Sequence, residues 1–259
     1  MNFLTKKRGL LLIFVVPVLL YIGYELFLTR KLSPPADSER ITVSFRVPEG
    51  ITLLPLSGLY TSSECTNTNF TAGGNTYQAD ATTGVSLPFV SQAGNLMSAS
   101  IAKDGGGRCR WKLSSVGVRF RMSEDNYLLT KEKKVIETNY DFDLLGYGSN
   151  GGSFGMGRRK EVSGDLDIKT DFFPMITQFN DNEISFEFFG GDTRLKKWVR
   201  SFRLTDTRYI SIEPLVHLDK VVKLVPSDKL GRWMAIYPDG SRDVVPYFFP
   251  DYEKLLSMK

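Results

Sequence analysis

Three stretches of the chain carry residue types that could do chemistry. Gly151-Gly-Ser153-Phe-Gly155 matches the G-x-S-x-G pattern, and Asp192, Asp206 and His217 follow it in the serine, acid, histidine order of α/β-hydrolases. Acyl transfer from such a serine needs a strained strand-to-helix turn that presents the hydroxyl to the imidazole. The continuation Met156-Gly-Arg-Arg-Lys160 offers no amphipathic helix to build that turn. Gly146-Tyr-Gly148-Ser-Asn-Gly151 overlaps it and fits the dinucleotide fingerprint, whose last glycine must open a helix with its amides toward pyrophosphate. The same continuation lacks that helix, so both matches read as one glycine-rich hairpin loop. Asp104-Gly-Gly-Gly-Arg108 could cradle an anion in backbone amides, or simply turn the chain into the strand that follows.

The other candidates are weaker. His217 is the single histidine, and with two cysteines it leaves too few soft ligands for a transition-metal cluster, so no metal and no cofactor are expected. In Leu215-Val-His-Leu-Asp-Lys-Val221 the imidazole is expected to face solvent or to be satisfied in the interior. Asp165 with Asp167, and Asp141 with Asp143, alternate along strands and mark solvent faces. The chain is therefore read as a non-enzyme, with no catalytic residue assigned.

The elements around these motifs are dominated by one strand. From Cys109 the apolar residues alternate through Trp111 and Leu113, slip by one across Ser114-Ser115, and alternate again as Val116, Val118, Phe120 and Met122. That predicts a long half-buried strand with a bulge, basic on its outer face and with Cys109 turned inward. The other cysteine is Cys65. Both lie beyond the segment that sets the compartment, and in an oxidising compartment pairing is the expected state.

That segment is the first 31 residues. Lys6-Lys7-Arg8 precedes an apolar run from Gly9 to Leu28 whose only charge is Glu25, long enough to span a bilayer core. The leading basic residues place the N-terminus in the cytoplasm and the rest across the membrane, and no small-residue cleavage site follows the run. Residues 1–31 hold five Lys/Arg and one Glu, so the remaining 28 basic and 28 acidic residues cancel. The exported part has no net charge to draw nucleic acid. Residues 32–40, with Ser33-Pro34-Pro35, read as a short stiff linker. Residues 41–259 read as one exported domain, with a subdivision conceivable near 125–135.

Beyond the linker the pattern is β. Ile41, Val43, Phe45 and Val47 alternate; Leu53 to Tyr60 is broken by Pro55; 61–107 reads as loop and short strand. Tyr140 to Leu144, Val162 to Ile168 and Ile184 to Phe188 alternate, while 194–204 fits either helix or strand. Trp233 to Tyr247 reads as a hairpin around Pro238-Asp-Gly-Ser241, and 249–256 as a short closing helix. The expected fold is mainly β, an antiparallel sandwich or two packed sheets, preceded by one transmembrane helix.

Tyr60-Thr-Ser-Ser-Glu-Cys65, Gly105-Gly-Gly-Arg-Cys109-Arg-Trp-Lys-Leu-Ser-Ser-Val116 and the glycine-rich stretch 146–157 together resemble a group of membrane-anchored periplasmic proteins of Gram-negative bacteria, often encoded near type VI secretion genes. The group reads roughly Tyr-Arg-Ser-x-x-Cys and Gly-Gly-Gly-x-Cys-x-Trp-x-Leu-Ser-Asn-Val, and this chain departs from it at Thr61 and Ser115. The resemblance implies an immunity protein that neutralises an antibacterial effector, for instance a lipase, in the periplasm. A structural or accessory part of an envelope secretion machine is the alternative. The loop from Gly146 to Arg159 is the expected partner contact, because Tyr147, Asn150, Phe154, Arg158 and Arg159 supply the aromatic, amide and guanidinium groups that dominate tight interfaces. The polar segment from Thr61 to Asp80 is the fallback.

Overall fold

The computed structural model describes residues 15–21, 23–24, 31–129, 133–145, 160–179, 183–191, 200–228, 231–246 and 248–259. The first strands are β1 (Arg40–Arg46), β2 (Ile51–Leu53), β3 (Leu56–Phe70), β4 (Thr76–Leu87), β5 (Val90–Ser91) and β6 (Leu96–Ala102). Then come β7 (Asp104–Gly106), β8 (Trp111–Met122), β9 (Lys133–Val135), β10 (Thr138–Asp143), β11 (Lys160–Ser163) and β12 (Leu166–Gln178). The last are β13 (Ile184–Phe189), β14 (Ser201–Thr205), β15 (Tyr209–Val216), β16 (Val222–Pro226), β17 (Arg232–Ile236) and β18 (Arg242–Pro246). A helix at Tyr252–Leu256 closes the chain, capped by the Asp251 carboxylate on the Lys254 amide.

The fold is mainly β, as the alternation implied, but the sheets are mixed rather than antiparallel. One runs β18-β17-β16-β12-β15-β1-β6-β5, with β13 also on β12 and β9 on β13; the other runs β11-β14-β10-β8-β3-β4, with β2 and β7 on β8. β15 lies parallel to both β1 and β12, β12 parallel to β16, β9 parallel to β13, and β14 parallel to both β10 and β11. Alternation reports which face of a strand is buried. It is blind to the direction of the neighbour, and parallel neighbours here come from distant stretches, Val43 opposite Ile210.

Two compact units form. One contains residues 40–58, 85–101 and 114–259. Its two sheet faces meet in a cluster of rings: Phe120 lies 5.5 Å from Phe45, 5.3 Å from Phe172 and 5.9 Å from Phe188, and Phe142 stacks on Phe202 at 5.5 Å. A second buried group, including Phe173, Met175, Leu224, Tyr237 and Leu255, lies under the C-terminal helix. The other unit contains residues 1–39, 59–84 and 102–113. Its buried apolar side chains are few, chiefly Tyr60, Trp111 and Leu113. So small a core needs covalent help. Residues 125–135 fall within the stretch 114–259 of the first of these units.

Several local expectations are met. The inward face of β8 slips between Leu113 and Val116 as read, and the 238–241 turn closes with Tyr237 N–H donating to the Ser241 carbonyl at 2.9 Å. Ser201–Thr205 settles as strand. Two expectations are corrected. Cys109 lies in the turn before β8, buried but not in the strand. The segment 61–107, read as loop and short strand, holds the larger part of the 15-residue β3 and all of the 12-residue β4; their outer halves are solvated on both faces, so no hydrophobic period marks them. Of the expected span 9–28, residues 15–21 and 23–24 are described and are helical. No helix among the described residues is long and apolar enough to cross a membrane. The rest of that span lies outside the described residues.

Candidate interaction site

The serine motif and its relatives do not converge among the described residues. Ser153 and Asp192 lie outside them, as do the expected contact residues Tyr147, Asn150, Phe154, Arg158 and Arg159. His217 Nε2 lies 2.7 Å from Asp171 Oδ1, its ring stacked on Phe173 at 5.0 Å. Lys259 donates to the other oxygen of Asp171 at 3.1 Å, and Tyr252 Oη donates to the Asp171 carbonyl at 2.8 Å. Burial raises the Asp171 carboxyl, but hydrogen bonds from His217 and Lys259 outweigh it and hold the group below its usual range. Burial pushes the Tyr252 phenol up to about 12. The cluster fastens the last residue of the chain to β12. Asp165 is likewise structural, accepting the Arg208 and Tyr209 amides at 3.0 and 2.9 Å.

The glycine run is a seat for the linker, not an anion cradle. Asp104 Oδ1 accepts the Gly106 amide at 2.8 Å, using a donor that an anion would need. Ser33 bridges to Gly106 in parallel, its amide donating to the Gly105 carbonyl at 2.8 Å. A side chain on Gly105 would meet the Tyr60 ring at 2.7 Å and Leu32 at 2.9 Å; one on Gly106 would collide with the Ser33 carbonyl. Ion pairs extend the seat, Lys103 to Glu39 at 3.2 Å and Lys112 to Asp104 at 2.7 Å. With Pro35, Asp37 and Ser38 these residues line an open cleft of about 350 Å³. The lysine holds the Asp104 carboxyl below the usual range.

The disulfide forms as expected, Cys65 to Cys109, with Cα atoms 5.4 Å apart. It pins the base of an arm built from the outer halves of β3 and β4. Ser62 Oγ accepts the Glu64 and Cys65 amides at 3.1 Å each and donates to the Cys109 carbonyl. At the tip, the Thr71 amide donates to the Asn75 carbonyl at 2.8 Å, and Gln78 Nε2 donates to Thr68 Oγ1 at 2.9 Å. From Ser63 to Gln78 no residue is buried. Phe70 and Tyr77 are 74% and 50% exposed, among Asn, Thr, Ser and Gly, a composition that supplies stiff aromatic contacts beside adaptable hydrogen-bonding groups.

β4 is also a sheet edge. The other edges among the described residues are short or guarded by charge: β5 has two residues, β9 carries Lys133 and Lys134, β11 Lys160 and Glu161, β18 Arg242, Asp243 and Pro246. β4 has 12 residues with Asp80 as its one charge, and neither Lys nor Pro. A long edge with a single charge and no Lys or Pro invites another strand. Sequence reading took in Thr61 to Asp80 as a fallback contact but not the edge strand that continues to Leu87. The signal was there in the unbroken absence of Lys and Pro from Thr76 to Leu87.

No family model, no curated protein and no solved structure matches this chain.

Proposed function

We propose that this chain is a periplasmic immunity protein, anchored in the inner membrane through residues 9–28, that binds and neutralises an antibacterial effector such as a lipase delivered by type VI secretion. The observation that carries the reading is the β4 edge with its aromatic-tipped arm. Twelve edge residues with Asp80 as their one charge offer roughly 40 Å of strand, whose outward backbone donors and acceptors fit an extended strand of a protein partner. Phe70 and Tyr77 add side-chain contacts, and the disulfide fixes the arm in advance, which lowers the ordering cost of binding. The 146–159 loop, with Tyr147, Asn150, Phe154, Arg158 and Arg159, supplies a second contact.

The test is protection. Effectors encoded beside this chain's gene are exported to the periplasm of a sensitive strain with and without the chain, and survival is scored. One of them should be neutralised and should bind the purified chain. Replacing Phe70 and Tyr77 together with Ser should weaken that binding at least about tenfold, roughly 1.4 kcal/mol, with thermal unfolding unchanged because both side chains are exposed. Killing that the chain never relieves refutes the function; unchanged affinity in the double variant removes the arm from the interface.

A further inference from the structure

The β4 edge is complementary to itself. Along the strand Ala81 is buried and Ala79, Thr83, Val85 and Leu87 are half-buried on one face, while Thr82, Gly84 and Ser86 are exposed on the other. A half-covered edge row is completed by a neighbouring strand that brings a like row to the same side. Two copies of the chain related by a two-fold axis perpendicular to the sheet do this, because antiparallel pairing of identical edges keeps each face on its own side. Nothing from Ala79 to Ser86 is bulkier than Val85, so no side chain holds a second backbone away.

One register satisfies both size and charge. With the axis at Thr83, Ala81 faces Val85 of the second copy and Ala79 faces Leu87, a small side chain against a larger one at each step. On the other face Thr82 meets Gly84, and Asp80 meets Ser86, a hydroxyl that can donate to the carboxylate. The two Asp80 carboxylates then stand six residues apart along the pair, about 20 Å, beyond the Debye length of about 8 Å in physiological salt. The edge's one charge therefore does not oppose the pairing. The other edges among the described residues are short or charged, so the assembly closes at two copies instead of running on into a fibre.

We propose that the β4 edges of two copies of this chain pair antiparallel about Thr83, and that this dimer shields the edge until a strand of the effector takes the second copy's place. The pairing stands on the edge alone; the shielding rests on the function proposed above.

The full chain is purified in detergent micelles and its mass is followed by analytical ultracentrifugation on dilution. The protein part should weigh twice 29.2 kDa. Thr82→Lys adds a cation to the exposed side of each edge and should weaken the dimer at least about tenfold, while Thr76→Lys, outside the paired stretch, leaves it intact. On mild oxidation Thr83→Cys should link chain to chain, and Ser86→Cys, about 20 Å from its counterpart, should not. A chain monomeric up to about 0.1 mM, where even a weak interface shows, overturns the pairing. A dimer indifferent to Thr82→Lys overturns it as well, and a link through Ser86→Cys in place of Thr83→Cys overturns the register. An effector found by the protection test should convert the dimer into a one-to-one complex. One that binds the intact dimer overturns the shielding and leaves the pairing; killing that the chain never relieves removes the shielding together with the function proposed above.

Discussion

Gly106→Ala is the sharpest perturbation available at the linker's seat. Gly106 has φ +57°, so alanine there carries a left-handed penalty of about 1 kcal/mol. The new methyl would also collide with the Ser33 carbonyl and crowd Pro35 Cδ at 3.2 Å, where ordinary contact needs several tenths of an ångström more. Residues 31–35 must then withdraw. Withdrawal breaks the hydrogen bond from Ser33 to Gly105, worth about 1 kcal/mol net, and uncovers part of Leu32. The total is roughly 2–3 kcal/mol. Gly74→Ala is the matched control: its φ is +81° and nothing lies within 4 Å of the added carbon, so it carries the backbone term of about 1 kcal/mol alone. Urea unfolding of both variants, with hydrogen exchange at Ser33, separates the two terms. The Ser33 amide should exchange at least about tenfold faster in Gly106→Ala, the equivalent of roughly 1.4 kcal/mol, and at the wild-type rate in Gly74→Ala. Equal destabilisation of the two variants with Ser33 still protected would refute the seat.

Cys65→Ser opens a loop whose ends are 44 residues apart, which in the chain-entropy model costs about 4 kcal/mol. The loss should be read as earlier proteolysis within 61–85, and cleavage there no faster than in wild type would show that the arm stands without its bridge. Burial pushes the Glu187 carboxyl up from 4.5 to about 7, with the Arg200 guanidinium opposing. The unfolded chain then releases its proton first as pH rises, so this group's contribution is greatest below about pH 4.5 and falls by roughly 3 kcal/mol toward pH 7. Glu187→Gln should flatten the wild-type slope in that window, and parallel curves from urea midpoints would contradict the assignment.

The core strands were legible because burial on one face leaves a period of two in the chain itself. Ile41, Val43 and Phe45, and Val116 to Met122, point inward as their spacing implies, and the 238–241 turn and the closing helix carry their own local chemistry. The disulfide followed from compartment and cysteine count. Of the candidate site, the sequence marked Thr61 to Asp80 as polar and available, but nothing in it announced a strand: an arm wetted on both faces has no apolar phase to detect.

Composition and spacing alone determined the β class, the apolar N-terminal run, the neutral balance of the rest and the inward Cys109, since each depends on a residue and its near neighbours. Tertiary structure alone decided the direction of pairing and the purpose of the glycines. Val43 meets Ile210, and Gly106 must lack a side chain because Ser33, more than seventy residues earlier, lies against it. It also decided that Asp171 is held by His217 and Lys259, and that β4 ends a sheet with nothing beside it among the described residues. These are contacts between residues far apart in the chain, and chain closure over such distances leaves no mark on local sequence.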